Sequence, residues 1–251
     1  PSGVAISYTR NAQGQLTGIS VNGQPLLDQI VWSAHIGAQS WRWSNGQVWA
    51  RVGDDVGQIA GQTQADGNRT YAYDQKDNIR RIEDLNAPQR SQGLSYDALD
   101  RLSTAAVGNT TYSYAYDYNG NRTDQTVGTA TTNYSHDPAS NRLLASVGAN
   151  VASYSYDAAG NRSNDNGWTH TYNNAGRLIK STKGKTSVTY SYNALGQRVK
   201  KTSKNGTVIF AYDLAGHLIG EYLADGTTIQ ETVWLGDTPV AVVKPALDPL
   251  K

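Results

Sequence analysis

An aromatic residue followed by Asp or Asn, a short turn and usually Gly returns about every twenty residues along this chain. A period of that length settles the architecture before any single side chain can be interpreted. Units such as Tyr116-Asp117-Tyr118-Asn119-Gly120 and Tyr156-Asp157-Ala158-Ala159-Gly160 begin at Tyr73, Tyr96, Tyr116, His136, Tyr156, Tyr172, Tyr192 and Tyr212, with spacings of 23, 20, 20, 20, 16, 20 and 20. Degenerate copies start at Asn11 and Asp54, so repeats run along nearly all of the 251 residues.

Asp or Asn at the first turn position with Gly at the fourth is the preference of a type I turn, and a left-handed Gly then makes a three-residue hairpin loop with a G1 bulge. Gly120, Gly160, Gly176, Gly196 and Gly216 fill that slot; Asp77, Asp100 and Ser140 replace Gly elsewhere, and distortion is expected at Ser140. The hairpin sets the aromatic opposite the second residue after Gly. The expected cross-strand pairs are therefore Tyr73–Ile79, Tyr96–Leu102, Tyr116–Arg122, His136–Arg142, Tyr156–Arg162, Tyr172–Leu178, Tyr192–Arg198 and Tyr212–Leu218, with each Arg lying over its Tyr.

Strand side chains alternate faces, so the residues two before these aromatics share their side. They are Tyr71, Leu94, Tyr114, Tyr134, Tyr154, His170, Tyr190 and Phe210, while the positions between are Ala, Ser or Thr. One face is bulky and the other thin and hydroxylic, which is strand periodicity and not helix. The fold expected is all-β: tandem antiparallel hairpins in a curling sheet. Divergent repeats occupy residues 1–50, regular ones 51–223, and a C-terminal strand segment 224–251.

The recurrent Tyr-Asp-x-x-Gly-Asn-Arg and Tyr-Asp-x-x-Gly-x-Leu units resemble the YD repeats of the RHS family, which also includes the toxin-complex C components and teneurins. Val21-Asn22-Gly23 through Ile30-Val31-Trp32, then Trp41-Arg42-Trp43-Ser44-Asn45-Gly46, resembles the segment before the last repeats of bacterial RHS proteins. Val233-Trp234-Leu235-Gly236-Asp237-Thr238-Pro239-Val240-Ala241 resembles the segment leading into the RHS core. The resemblance implies a shell wall in a secreted or secretion-delivered system, partnered by the rest of the shell and an enclosed C-terminal toxin domain. It further implies a core with an Asp-Pro-x-Gly-Leu element, plugging the shell and directing autoproteolysis. The chain ends at Leu247-Asp248-Pro249-Leu250-Lys251 without that Gly, so no catalytic role is carried to Asp248.

Geometry also asks for a coil. About 20 strands at about 4.8 Å each span roughly 95 Å, and open sheets rarely exceed about ten strands without curling. Closed, that ring would be only about 30 Å wide, too narrow for a cargo of about 100 residues.

Composition removes other classes. With no Cys there is no disulfide scaffold, thiolate metal site or thiol catalysis; the absence of Met and a first residue of Pro1 point to a processed or cut chain. A net charge of +1 gives no global drive toward nucleic acid, none of which is expected as a partner, and neither a membrane span nor a signal peptide is visible.

Candidate chemistry is sparse. Asp54/Asp55 and Glu83/Asp84 are adjacent carboxylates, but consecutive strand residues face opposite ways and read as turn and surface charges. His35, His136, His170 and His217 lack metal spacing, and neither a metal nor a cofactor is expected. Ser/His/Asp combinations can be drawn from so Ser-rich a chain, yet no Gly-x-Ser-x-Gly elbow supports one, and no enzyme is expected. Trp41, Trp43 and Trp49 share a face in an extended stretch. They are candidate contacts for sugar rings or, as in choline-binding repeats, a quaternary ammonium; burial is the other reading. Arg177, Lys180, Lys183, Lys185, Arg198, Lys200, Lys201 and Lys204 form a run without an acidic residue, leaving 14 basic against 21 acidic residues elsewhere. That run is a docking surface for an acidic cargo or nucleic-acid strand, or solvated lysine at hairpin ends that discourages edge pairing.

Overall fold

In the computed structural model residues 3–245 are described, and Asp248 lies outside them. They form two compact units, one running from Ala5 to Val151 and the other taking in the chain from Ala152 onward. Both are all-β. The first holds 14 strands, Ile6–Arg10 through Leu143–Gly148, and a 3-10 turn at Pro88–Arg90; the second holds ten, Ala152–Tyr156 through Thr238–Val243. Within each, the ladders are antiparallel and join strands consecutive in sequence.

Two kinds of turn alternate. At one end the repeat turn closes with Asp117 N–H donating to Asn121 O at 2.9 Å and Gly120 N–H to Asp117 O at 3.2 Å, Gly120 taking a φ of 86°. At the other end two residues suffice, as in Val127–Ala130, Lys183–Thr186 and Ser203–Gly206. The irregular spacings follow from this frame. The 23-residue interval carries the excursion with Pro88–Arg90, and the 16-residue interval has short strands at Arg162–Asp165 and Trp168–Tyr172.

Seven of the eight expected pairs stand in register. The exception is His136, which faces Leu143 and not Arg142. Its loop is one residue longer: Asp137 N–H reaches Arg142 O at 2.8 Å, and Asn141, φ 56°, takes the left-handed position in place of Ser140. Asn tolerates that region better than Ser, so the chain shifts the loop by one residue. A second bulge follows most repeat turns. Tyr116 faces Arg122 while Ala115 faces Asp124, leaving Thr123 without a partner of its own. Such bulges increase the right-handed twist where they occur.

That bulge corrects the expected Arg–Tyr stacking. Arg122 covers Tyr114 at 5.8 Å and Tyr134 at 4.6 Å, and Arg198 covers Tyr190 at 5.7 Å and Phe210 at 4.7 Å. The guanidinium swings off its ladder partner to bridge two neighbouring hairpins.

Burial alternates as a two-faced sheet requires: along Thr186–Tyr192 the Tyr side is half-buried and the Ser/Thr side exposed. Among the described residues, buried apolar side chains gather toward the two ends of the chain, with Ala105 the one buried apolar residue between. Leu16, Ile19, Leu27, Ile30 and Trp41 do so in the first unit, and Phe210, Tyr222, Val233 and Leu235 in the second. The regular repeats between bury little, so ladder bonds and cross-strand contacts carry a large share of their stability.

Candidate functional site

The strongest constellation is the repeat seam itself. Six repeat tyrosines donate their hydroxyl backward to a main-chain carbonyl of the strand that follows the previous repeat turn. Tyr73 reaches Ile59 O at 2.9 Å, Tyr96 reaches Ile79 O at 2.8 Å and Tyr116 reaches Leu102 O at 2.9 Å. In the second unit Tyr172 reaches Arg162 O, Tyr192 Leu178 O and Tyr212 Arg198 O at 2.7–3.1 Å. Trp234 Nε1 continues the series to Leu218 O at 3.1 Å, and Trp32 Nε1 makes a like bond to Leu16 O at 2.8 Å. The twenty-residue spacing contains this ladder, but its bonds run between repeats, and the sequence motif displays only what lies inside one.

The repeat Asp organises its own turn. Asp117 Oδ1 accepts from Asn119 N–H at 3.0 Å and Asn121 N–H at 2.8 Å, and Asn121 Nδ2 donates to Oδ2 at 2.8 Å. The Asn121 side chain, then these backbone bonds, hold the Asp117 carboxyl below its usual range against the opposing effect of burial. Asp157 is lowered in the same way, first by the Asn161 side chain. This accounts for Asn after Gly in the motif. Equivalent turns close at Asn11 and Asp54, the two degenerate copies, and also at Trp43 and Leu223, which lack the leading Asp. There Asn45 and Asp225 supply the carbonyl or carboxylate oxygen from inside the turn.

Non-Gly residues in the left-handed slot are tied to the preceding turn. Gln58 Nε2 donates to Asp77 at 2.8 Å, Lys76 Nζ to Asp100 at 2.9 Å, and the Nδ2 groups of Asn119 and Asn121 both reach Asn141 Oδ1 at 3.0 Å. An inter-turn bond thus offsets the torsional cost.

The candidate carboxylate pairs separate. Asp54 is a turn acceptor for Val56 and Gln58. Asp84 corrects the expectation of a surface charge: it is 3% exposed, accepts from Ala87 N–H at 2.8 Å, and lies 3.0 Å from Arg90 Nε and 3.5 Å from Arg69 Nε. It anchors the Pro88–Arg90 excursion, whose fold the local sequence gives no reason to expect. Glu83 pairs with Arg81.

His170 brings a Ser/His/Asp set together: Nδ1 lies 2.9 Å from Ser181 Oγ, and Nε2 stands 3.4 Å from Asp165 without hydrogen-bond alignment. Ser181 is only 5% exposed, and Asp165 is also bound by Arg162 at 3.0 Å. The Ser181 hydroxyl and His170 Nδ1 satisfy each other, while His170 Nε2 is buried without a hydrogen-bond partner. His217 is clamped between two carboxylates, Nδ1 to Asp213 at 2.8 Å and Nε2 to Asp237 at 2.9 Å, with its ring stacked 4.4 Å from Trp234. The bond to Asp213, opposed by burial and reinforced by Asp237, raises its pKa. Tyr222, buried and donating to Glu231 at 2.6 Å, is pushed up to about 12. No metal-holding group of His and carboxylates occurs among the described residues.

The three tryptophans do meet. Trp41 is 4% exposed and stacks on Trp49 at 3.9 Å, while Trp43 meets Trp41 edge-on at 5.9 Å. Of the basic run, Lys180 and Lys200 are exposed in mid-strand, flanked on both sides by ladder partners, so protection of a sheet edge does not explain them.

Tandem antiparallel hairpins with an aromatic-Asp turn about every twenty residues define a YD-repeat shell protein. The chain belongs to the Teneurin YD-shell family, which matches residues 56–213, more than half of it. Among solved structures it resembles the Photorhabdus luminescens Tc holotoxin pore, with a TM-score of 0.67 and 16% identity over 92% of this chain and 16% of that one. It also resembles the TcdB2-TccC3-Cdc42 structure, with a TM-score of 0.70 and 18% identity over 93% of this chain and 14% of that one. The chain therefore spans about a sixth or less of these relatives, and at such identity the likeness is one of fold. A comparison with curated proteins gave no match. No helix among the described residues is long and apolar enough to cross a membrane.

Proposed function

We propose that this chain is a non-catalytic wall segment of a YD shell that encloses or carries a toxin domain, in a secreted or secretion-delivered system. The single observation behind the reading is the tyrosine-hydroxyl ladder, which links consecutive hairpins into a continuous wall in each unit. Family membership and the holotoxin likeness support it. The rest of the shell and the cargo are its partners under this reading, which takes residues 1–50 as divergent repeats, 51–223 as regular ones and 224–251 as a C-terminal strand segment.

Cryo-electron microscopy of the natural polypeptide that carries this segment tests the proposal. A hollow wall with density inside is the expected result. An open sheet with no enclosed volume, or turnover abolished by one point substitution in this segment, rejects it. A second reading, a carbohydrate- or choline-type binding module, draws on one place alone, the tryptophan cluster.

A further inference from the structure

Because consecutive strands run antiparallel, the repeat turns of a unit lie at one end of its strands and the intervening turns at the other. The two rims differ in charge. We propose that the repeat-turn rim of the first unit docks onto the opposite rim of the second unit in a second copy of this chain, carboxylates meeting lysines over exposed apolar turn tips. Failure of this contact would leave the wall and its cargo as proposed, because hairpins within one copy build that wall.

The first rim is acidic, and its turns touch. Turns 54–58, 74–78, 97–101 and 117–121 together hold seven Asp against Lys76 and Arg101. Gln58 Nε2 reaches Asp77 at 2.8 Å, Lys76 Nζ reaches Asp100 at 2.9 Å and Arg101 reaches Asp117 O at 2.8 Å, so the four turns form one row. Three of them also carry an apolar tip. Val56, Leu99 and Tyr118 have exposures of 80%, 67% and 105%. Apolar side chains set in a row among charges mark an interaction surface.

The opposite rim of the second unit is its complement. Lys183 and Lys185 flank Gly184, Lys204 stands in the next turn on that side, and no acidic residue occurs between Arg177 and Tyr212. All three lysines are exposed. A lysine lays its alkyl stem along apolar surface while its ammonium stays with a polar partner. The acidic rim offers both together, with Leu99 next to Asp100 and Tyr118 next to Asp117.

Pitch selects the partner. Turns on either rim recur every two strands, about 10 Å apart, so Lys185 and Lys204 of one copy can meet neighbouring acidic turns of another without either rim being stretched. Anionic lipid is repelled by the same carboxylates, which argues against a membrane as the occupant. Each copy carries both rims, so the contact is heterologous and propagates head to tail.

Sedimentation velocity of the chain over a range of concentrations, at low and high salt, tests the proposal. Copies should associate with a dissociation constant of about 100 µM or tighter at low salt, weakened about tenfold or more at roughly 0.5 M, where screening is short-ranged. The double variant Lys185→Glu with Lys204→Glu should lose about tenfold or more in affinity, as should Asp55→Lys with Ala98→Lys, each with an unchanged thermal midpoint because all four positions are exposed. An equal mixture of the two double variants should associate as the unaltered chain does, since each supplies the rim that the other now fits. A sedimentation coefficient that stays monomeric, association indifferent to salt, or a mixture no better than either variant alone overturns the proposal.

Discussion

The hydroxyl of Tyr96 donates to the main-chain carbonyl of Ile79 at 2.8 Å, and Ile79 is the ladder partner of Tyr73, the aromatic one repeat earlier. Six of the repeat tyrosines close the preceding hairpin in this way. Repeats that look self-contained in the sequence are interlocked in space, and a break in one is felt by its neighbour.

Tyr116→Phe isolates that bond, because the ring stays and only the donor to Leu102 O is lost. The cost expected is about 0.5–1.5 kcal/mol. Chemical denaturation should show it, and amide exchange should quicken in the preceding hairpin around Leu102. Exchange that changes only in the Tyr116 hairpin would contradict the ladder.

The turn aspartates set an acid limit. Asp117, Asp137 and Asp157 are lowered chiefly by the side chains of Asn121, Ser140 and Asn161. Their native pKa lies below the unfolded value, so their contribution is present above the unfolded pKa and lost as pH falls through the native one. Thermal midpoints should fall below about pH 4, the unfolded carboxylate range, and the fall should be shallower in Asp117→Asn and Asp157→Asn. An identical acid profile in both variants would show that these turns do not govern it.

His217 acts with the opposite sign. Its native pKa is raised above the unfolded value, so its contribution is complete below about 6.5 and disappears as pH rises through the native pKa. The wild-type thermal midpoint should decline from pH 6 toward pH 8.5 relative to His217→Gln, about which Asp213 and Asp237 can no longer make ion pairs. Parallel curves for the two proteins would remove the clamp from the account.

Asn141 separates torsion from bonding. With φ at 56°, Asn141→Ala should cost about 1–2 kcal/mol. Asn141→Gly, which relieves the torsion but also loses the bonds from Asn119 and Asn121, should cost less than half of that. Urea midpoints of the two variants decide it, and equal losses would place the whole effect in the side-chain bonds.

Asp84→Asn should lower the thermal midpoint by several degrees, because it removes the charge that two guanidiniums face at a position 3% exposed. Faster proteolysis near Pro88–Arg90 should accompany the loss. A midpoint unchanged by the substitution would assign the excursion to its backbone bonds alone.

By itself the sequence determined the period, the strand type, the two faces and seven of the eight cross-strand partners, because a turn of fixed length transmits register to the residues beside it. It also placed Trp41, Trp43 and Trp49 on one face, but not which would be buried. Only the tertiary structure decided the contacts between successive hairpins: the tyrosine hydroxyls reaching back one repeat, Arg122 bridging Tyr114 and Tyr134, the turn-to-turn bonds at Asp100 and Asn141, and the burial of Asp84 between Arg69 and Arg90. Those contacts depend on twist and on bulges such as the one at Thr123. A one-residue bulge redirects side chains across a sheet, and local propensity carries no record of where they land.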